Sequence, residues 1–160
     1  MPIEFLDLFD DHGWAPLAPD LRSTVCSWRD GATLADAPVD VAATFQDAAW
    51  RSTAIDRSFG LTGVRLRAGF RVPMRHHNAA LQMIVFGGSV TVHTAESCED
   101  LRERDSFTLV SGQFCVIDED TPFAVEAGPD GVTYVRSWPL RSDDLTTCWH
   151  LDPAWVRRST

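Results

Sequence analysis

Lysine is absent: all 14 basic side chains in the 160 residues are arginine. Catalysis through a lysine Schiff base is thereby excluded. Positive charge is also the minority sign, 14 against 23 acidic residues, for a formal charge of -9. Phosphate recognition needs a basic face, and arginines cluster only in the short Val156-Arg157-Arg158 stretch. No nucleic-acid partner is expected. No run approaches eighteen apolar residues, and MPIEFLDLFDDHGW lacks a basic leader ahead of an apolar core. The expectation is therefore no membrane partner and a cytoplasmic protein. Cysteine is sparse: Cys26, Cys98, Cys115 and Cys148 form no CxxC pair, which excludes a local zinc knuckle or redox dithiol. In a reducing cytosol the four read as thiols.

What is present is an ordinary globular balance, 44% hydrophobic and 23% charged, in a length that suits one domain with a real core. The richest stretch is Gly69 to Val92, GFRVPMRHHNAALQMIVFGGSVTV. It places the adjacent histidines His76 and His77 at the end of an extended run. A turn follows, then a long apolar strand that breaks at Gly87-Gly88. Period-two alternation puts Arg71, Pro73, Arg75 and His77 on one side and Val72, Met74 and His76 on the other, so one histidine faces inward.

The stretch resembles the first motif of the cupin superfamily, the small jelly-roll barrels. Gly69 is followed by five residues, then Arg75-His76-His77, four residues, Gln82, and a closing glycine at Gly88. The second cupin motif is matched in outline by GQFCVIDEDTPFAV, Gly112 to Val125. The resemblance implies an all-β fold: a cupin double-stranded β-helix (jelly-roll) barrel over residues 61–138. An N-terminal arm (1–60) would pack on it, and a short C-terminal tail (139–160) would follow. It also implies that four slots converge inside the barrel, where metal-binding cupins hold a divalent cation such as iron, manganese, nickel or zinc. Here those slots hold Arg75, His77, Gln82 and Phe123. Arginine donates only and phenylalanine has no lone pair, so a metal would need His77, His76 and Gln82 together, helped by His93, Glu126 or Cys115. A bound metal and none at all both stay open.

The arm carries turn formers such as Asp10-Asp11-His12-Gly13, read as a polar turn in which an Asp side chain bonds nearby backbone. IEFLDLF reads as one turn of helix or an edge strand. Val39-Asp40-Val41 and Val64-Arg65-Leu66-Arg67 alternate like strands. Arms of this kind cover a barrel edge or exchange across a dimer in similar small cupins, which implies a homodimer. SFTLVSG, QFCVI and FAVEA read as short strands. GPDG closes the third of these, and GVTYVRSWPL is the last barrel strand, with Val132, Tyr134, Arg136 and Trp138 on one face. HTAESCEDLRERDS reads as a solvated hairpin loop. RSDDLTTCWHLDPAWVRR, with Trp149 and Trp155 flanking Pro153, is expected to pack on the outside of the barrel.

The inward set is then Arg75, His77, Gln82 and Phe123, joined by Tyr134 and Arg136. A small-molecule ligand would meet a fixed cation, an imidazole kept neutral by its arginine neighbour, an amide and aromatic walls. Three functions are compatible. One is an enzyme acting on an oxygenated aromatic or carbonyl-bearing metabolite, as a metal-dependent oxygenase or as an acid/base isomerase or cyclase with His77 as base and Arg75 on the oxyanion. The others are a non-catalytic sensor or carrier, and a structural cupin with a decayed site. In the last, Arg75 lies on the surface and His77 is a core histidine satisfied by backbone.

Overall fold

The computed structural model describes residues 5–20, 22–25, 33, 35, 41–96 and 103–150. Its strands are β1 (Trp14–Pro16), β2 (Thr24–Val25), β3 (Ala49–Ser52), β4 (Ile55–Asp56), β5 (Gly60–Leu66), β6 (Arg71–His77), β7 (Leu81–Ala95), β8 (Glu103–Val110), β9 (Phe114–Ile117), β10 (Phe123–Trp138) and β11 (Thr147–Trp149). One short helix, α1 (Val41–Phe45), precedes β3. All eleven strands join one curled sheet, antiparallel except for the β2–β11 pair. This is the expected all-β jelly roll.

Two long strands organise it. β7 and β10 pair along their lengths, from Phe123 opposite Thr94 to Ser137 opposite Gln82. Each strand changes inward parity midway. To the main core β7 contributes Leu81, Met83 and Val85, then Val90 and Val92; β10 contributes Phe123, Val125 and Ala127, then Val132, Tyr134 and Trp138. The switch falls where the ladder slips, between Ala127 and Val132 and again between Thr133 and Tyr134. Gly88 sits there at φ +70, and a Cβ on it would collide with the Gly131 carbonyl oxygen. Only glycine allows both the left-handed conformation and that approach. GPDG is therefore a bulge inside one continuous strand rather than the end of one, and it carries the sheet around a corner.

The corner divides the sheet into two walls. One contains β2, β11, β6, the first half of β10, the second half of β7 and β8; the other contains β1, β3, β5, the second half of β10, the first half of β7 and β9. Between them lies the apolar core of Val64, Leu66, Val72, Met83, Val85, Val125 and their neighbours. Each such side chain contributes about 1.5–3 kcal/mol when fully buried, which fixes which face of every strand turns inward.

Several local expectations change. Val41 opens α1 instead of a strand, while Val39 and Asp40 lie outside the described residues. Of the opening segment, residues 5–9 form neither helix nor strand, with Phe5 and Phe9 exposed and Leu8 against Gly63, while Ile3 and Glu4 lie outside the described residues. The Asp10 turn forms as expected, Asp10 Oδ1 accepting from the His12 amide at 2.9 Å. Part of the supposed charged loop is strand, since β7 runs to Ala95 and β8 starts at Glu103. The tail returns to the sheet, β11 pairing with β6 at Thr147–His77 and Trp149–Arg75. Trp155 and Pro153 lie outside the described residues. Among the cysteines, Cys115 is a free thiol but Cys148 is disulfide-bonded, which corrects the all-thiol reading. Cys26 and Cys98 lie outside the described residues.

Candidate functional site

β6 opposes β10 with a register shift: Phe123 faces Arg75, yet Val125 faces Val72. One extra residue is accommodated around Pro73, which has no N–H to leave unpaired at a bulge. The bulge changes the facing of the strand. Val72 joins Arg75 and His77 at the interior cavity, whereas Arg71 turns out to Glu126 at 3.6 Å. The simple alternation expected for Arg71 and Val72 is thus reversed, while that of the residues from Met74 to His77 is kept.

Arg75, His77, Tyr134 and Arg136 line one cavity of about 290 Å³, together with Thr62, Thr147, Trp138 and Trp149. Arg75 is 3% exposed, so it is no surface residue. Its guanidinium lies 4.3 Å above the Phe123 ring and 5.7 Å from Trp149, and among the described residues Nη1 donates to the Pro73 carbonyl at a long 3.4 Å. Burial lowers its pKa to about 10, Tyr134 opposing and Arg136 adding to that shift. No carboxylate neutralises it among the described residues. Arg136 comes from the opposite wall. It makes no hydrogen bond among the described residues, its Nε is buried without an acceptor, and burial lowers its pKa as well.

His77 is held by Thr147, whose hydroxyl is 2.8 Å from Nδ1, and its ring lies 5.8 Å from Phe123. Which of the two donates depends on the ring's tautomer; with Nδ1–H donating to the Thr147 hydroxyl oxygen, Nε2 is the basic nitrogen. Burial first, then Arg75, Arg136 and His76, push its pKa down to about 3. The imidazole is therefore neutral, as two nearby guanidiniums require. Tyr134 is 1% exposed and closes the floor.

Two expected members are elsewhere. Gln82 is exposed on the outer face of β7, because Leu81 and Met83 on either side take the inward positions. His76 turns away from His77 and meets His150, Nδ1 to Nε2 at 2.8 Å. The auxiliary donors are dispersed too: His93 lies 3.5 Å from Glu126, an outward residue of β10, and Cys115 packs against the core with its thiol pKa raised by burial. No group of three His, Cys, Asp or Glu side chains converges among the described residues. The cavity offers one imidazole beside the guanidiniums of Arg75 and Arg136, with the exposed Arg51 also on its lining, a donor set that does not fit a divalent cation.

β11 supplies what motif reading missed. Thr147 anchors His77, and Trp149 packs inward over Arg75 instead of on the outside. A larger open cleft of about 720 Å³ lies around Trp14, Trp50 and Asp130. Its cation is already committed: Arg65 bonds Asp11 at 3.2 Å and the Leu8 carbonyl at 2.7 Å, and stacks 4.0 Å over Trp14. No helix among the described residues is long and apolar enough to cross a membrane.

No protein-family model matches the sequence, and no curated protein matches it. Solved structures do resemble it in shape. An arginine variant of Bacillus subtilis oxalate decarboxylase superposes with a TM-score of 0.55 at 13% identity, over 64% of this chain and 28% of that one. A tryptophan variant of the same enzyme gives 0.55 at 14% identity, over 69% and 32%. A structure of that decarboxylase concerned with its Mn(II) centres gives 0.52 at 14%, over 59% and 26%. The chain thus spans roughly a third or less of those proteins, and at such identity the likeness concerns the fold. Strand order, the two motif positions and these superpositions agree: the chain is a jelly-roll protein of the cupin fold.

Proposed function

We propose that the protein is a small-molecule cupin enzyme whose cavity receives an oxygenated, anionic metabolite and moves a proton on it, as in isomerisation or cyclisation. The observation that carries this reading is the enclosure of neutral His77 and charged, unpaired Arg75 in one cavity. An unpaired buried charge costs several kcal/mol, and a guest carboxylate or enolate would remove that cost while gaining a fork of charge-assisted hydrogen bonds. Nε2 of His77 then takes a proton from the carbon or hydroxyl beside the guest's carbonyl, and Arg75 holds the oxyanion that results. With a pKa of about 3, set first by burial, the empty site is a weak base; a docked anion offsets part of the arginines' field and raises it. Until a guest arrives, the same low value favours a second reading, a non-catalytic sensor or carrier in which His77 only accepts a hydrogen bond.

The test is proton exchange. Aromatic and aliphatic acids bearing an enolisable carbonyl, incubated with the protein in D2O, should gain deuterium at one position, and His77→Ala should abolish this while unfolding much like the parent. Ligand-dependent thermal stabilisation without any exchange would support the carrier instead. A variant that loses stability but keeps its exchange rate per folded molecule would make His77 a core residue only. We also propose a homodimer, supported by the apolar outer face of β7 and β9, where Ile84, Phe86, Val116 and the 71%-exposed Phe114 lie together. A monomer by light scattering at micromolar concentration would remove that proposal.

A further inference from the structure

The cavity is lined by two inward guanidiniums, Arg75 and Arg136, and by the exposed Arg51, and this inference rests on reading it as a site for an anionic guest. Arg75 projects from β6 opposite Phe123, at the start of β10, and Arg136 projects from the far half of β10, beyond the corner. They therefore enter from different walls of the jelly roll. Neither has an acidic partner among the described residues. Asp20 does line the cavity, but its carboxylate is held by Arg22 at 3.1 Å. Three donors on the cavity's lining, the indole N–H groups of Trp138 and Trp149 and Nε of Arg136, are buried without an acceptor. Arginine and tryptophan can donate but never accept. A single carboxylate forks onto one guanidinium and leaves the other buried and unpaired.

We infer that the guest carries two separate oxyanion groups on one small, flat skeleton, one for Arg75 and one for Arg136, which places it in the class of compact dicarboxylates. Phe45, Trp138 and Trp149 give the walls their flat apolar surface, and about 290 Å³ limits the guest to the size of a small metabolite.

Titration calorimetry on the full chain with matched probes tests this: phthalate against benzoate, and malonate, succinate and glutarate against butyrate. At least one dicarboxylate should bind about tenfold or more tightly than the monocarboxylate of similar skeleton. Arg75→Met and Arg136→Met should each bring its affinity down to the monocarboxylate level, and Arg136→Lys, which keeps charge but loses the fork, should fall between. Circular dichroism confirms that each variant is folded, and the lysine variant serves if the methionine one is not. The inference is overturned if monocarboxylates bind as tightly as dicarboxylates, if no dicarboxylate binds, or if Arg136→Met leaves the ratio unchanged. Monocarboxylate binding that needs Arg75 and shows His77-dependent exchange would leave the proposed function intact while removing the second anion. Selective dicarboxylate binding without exchange on any probe would do the reverse.

Discussion

Removing the charge of Arg75 should make the empty protein more stable. The guanidinium is buried, and its pKa falls from the ordinary arginine value to about 10. At 1.36 kcal/mol per tenfold, that corresponds to a folding penalty of about 3 kcal/mol. The sign follows from its direction. A cation with a lowered folded pKa destabilises fully below about pH 10 and ceases to do so as pH rises past the unfolded value, so at pH 7 the whole penalty is present. Arg75→Met keeps the apolar stem, and it forfeits a long hydrogen bond and the stack on Phe123, together about 1–2 kcal/mol. The net gain is about 1–2 kcal/mol, which raises Tm by about 2–8 °C in a domain of this size. Differential scanning calorimetry at pH 7 without added ligand measures it. A Tm equal to or below that of the parent would refute the argument that this charge is held in the cavity at the expense of the fold.

Other consequences are open to measurement. His77 and His150 have pKa values pushed down to about 3 and about 4, so below pH 6.5 the unfolded chain binds more protons and stability falls with pH. Tm should drop between pH 7 and 5, less steeply in His77→Gln; parallel slopes would show that His77 is not buried as a neutral base. Gly88→Ala forces a side chain into both a positive φ and the Gly131 carbonyl, and should cost about 2 kcal/mol or more in chemical denaturation; a loss under about 0.5 kcal/mol would mean the corner is slack. Reducing the disulfide at Cys148 should lower Tm and loosen β11, weakening whatever anion binds beneath Trp149. An unchanged melting curve under reductant would show that the strand needs no covalent tie. Protein purified without added metal should hold less than about a tenth of an equivalent of divalent metal; near-stoichiometric metal would contradict the donor geometry.

The jelly roll and half of the cavity were legible because alternation is a local signal. Arg75 and His77 lie on a strand whose apolar partners can be counted, and Tyr134 and Arg136 follow Val132 at steps of two. The corner was not legible in the same way. Parity on β7 and β10 is reset by a pairing between residues distant in sequence, and GPDG has the composition of a turn whether it ends a strand or bulges within one. Gln82 was placed inside by motif spacing, although the alternation of Leu81, Met83 and Val85 around it already pointed outward. Three-residue β11 is too short to carry a periodic signal, so the inward turn of Trp149 is decided by the surface it lands on. Spacing likewise could not indicate that Cys148 is bonded.

Pro73 makes the character of the hollow depend on one imino acid. Its bulge absorbs an odd residue, so that the guanidinium and imidazole downstream turn inward. Removing Pro73 outright would leave a regular strand with the same inward set, whereas replacing it with valine restores an N–H able to join the ladder and invites a slip by one position. After such a slip Met74 and His76 would occupy the interior and Arg75 and His77 would face water, so that the hollow would keep Arg136 on one wall and lose the guanidinium of the other.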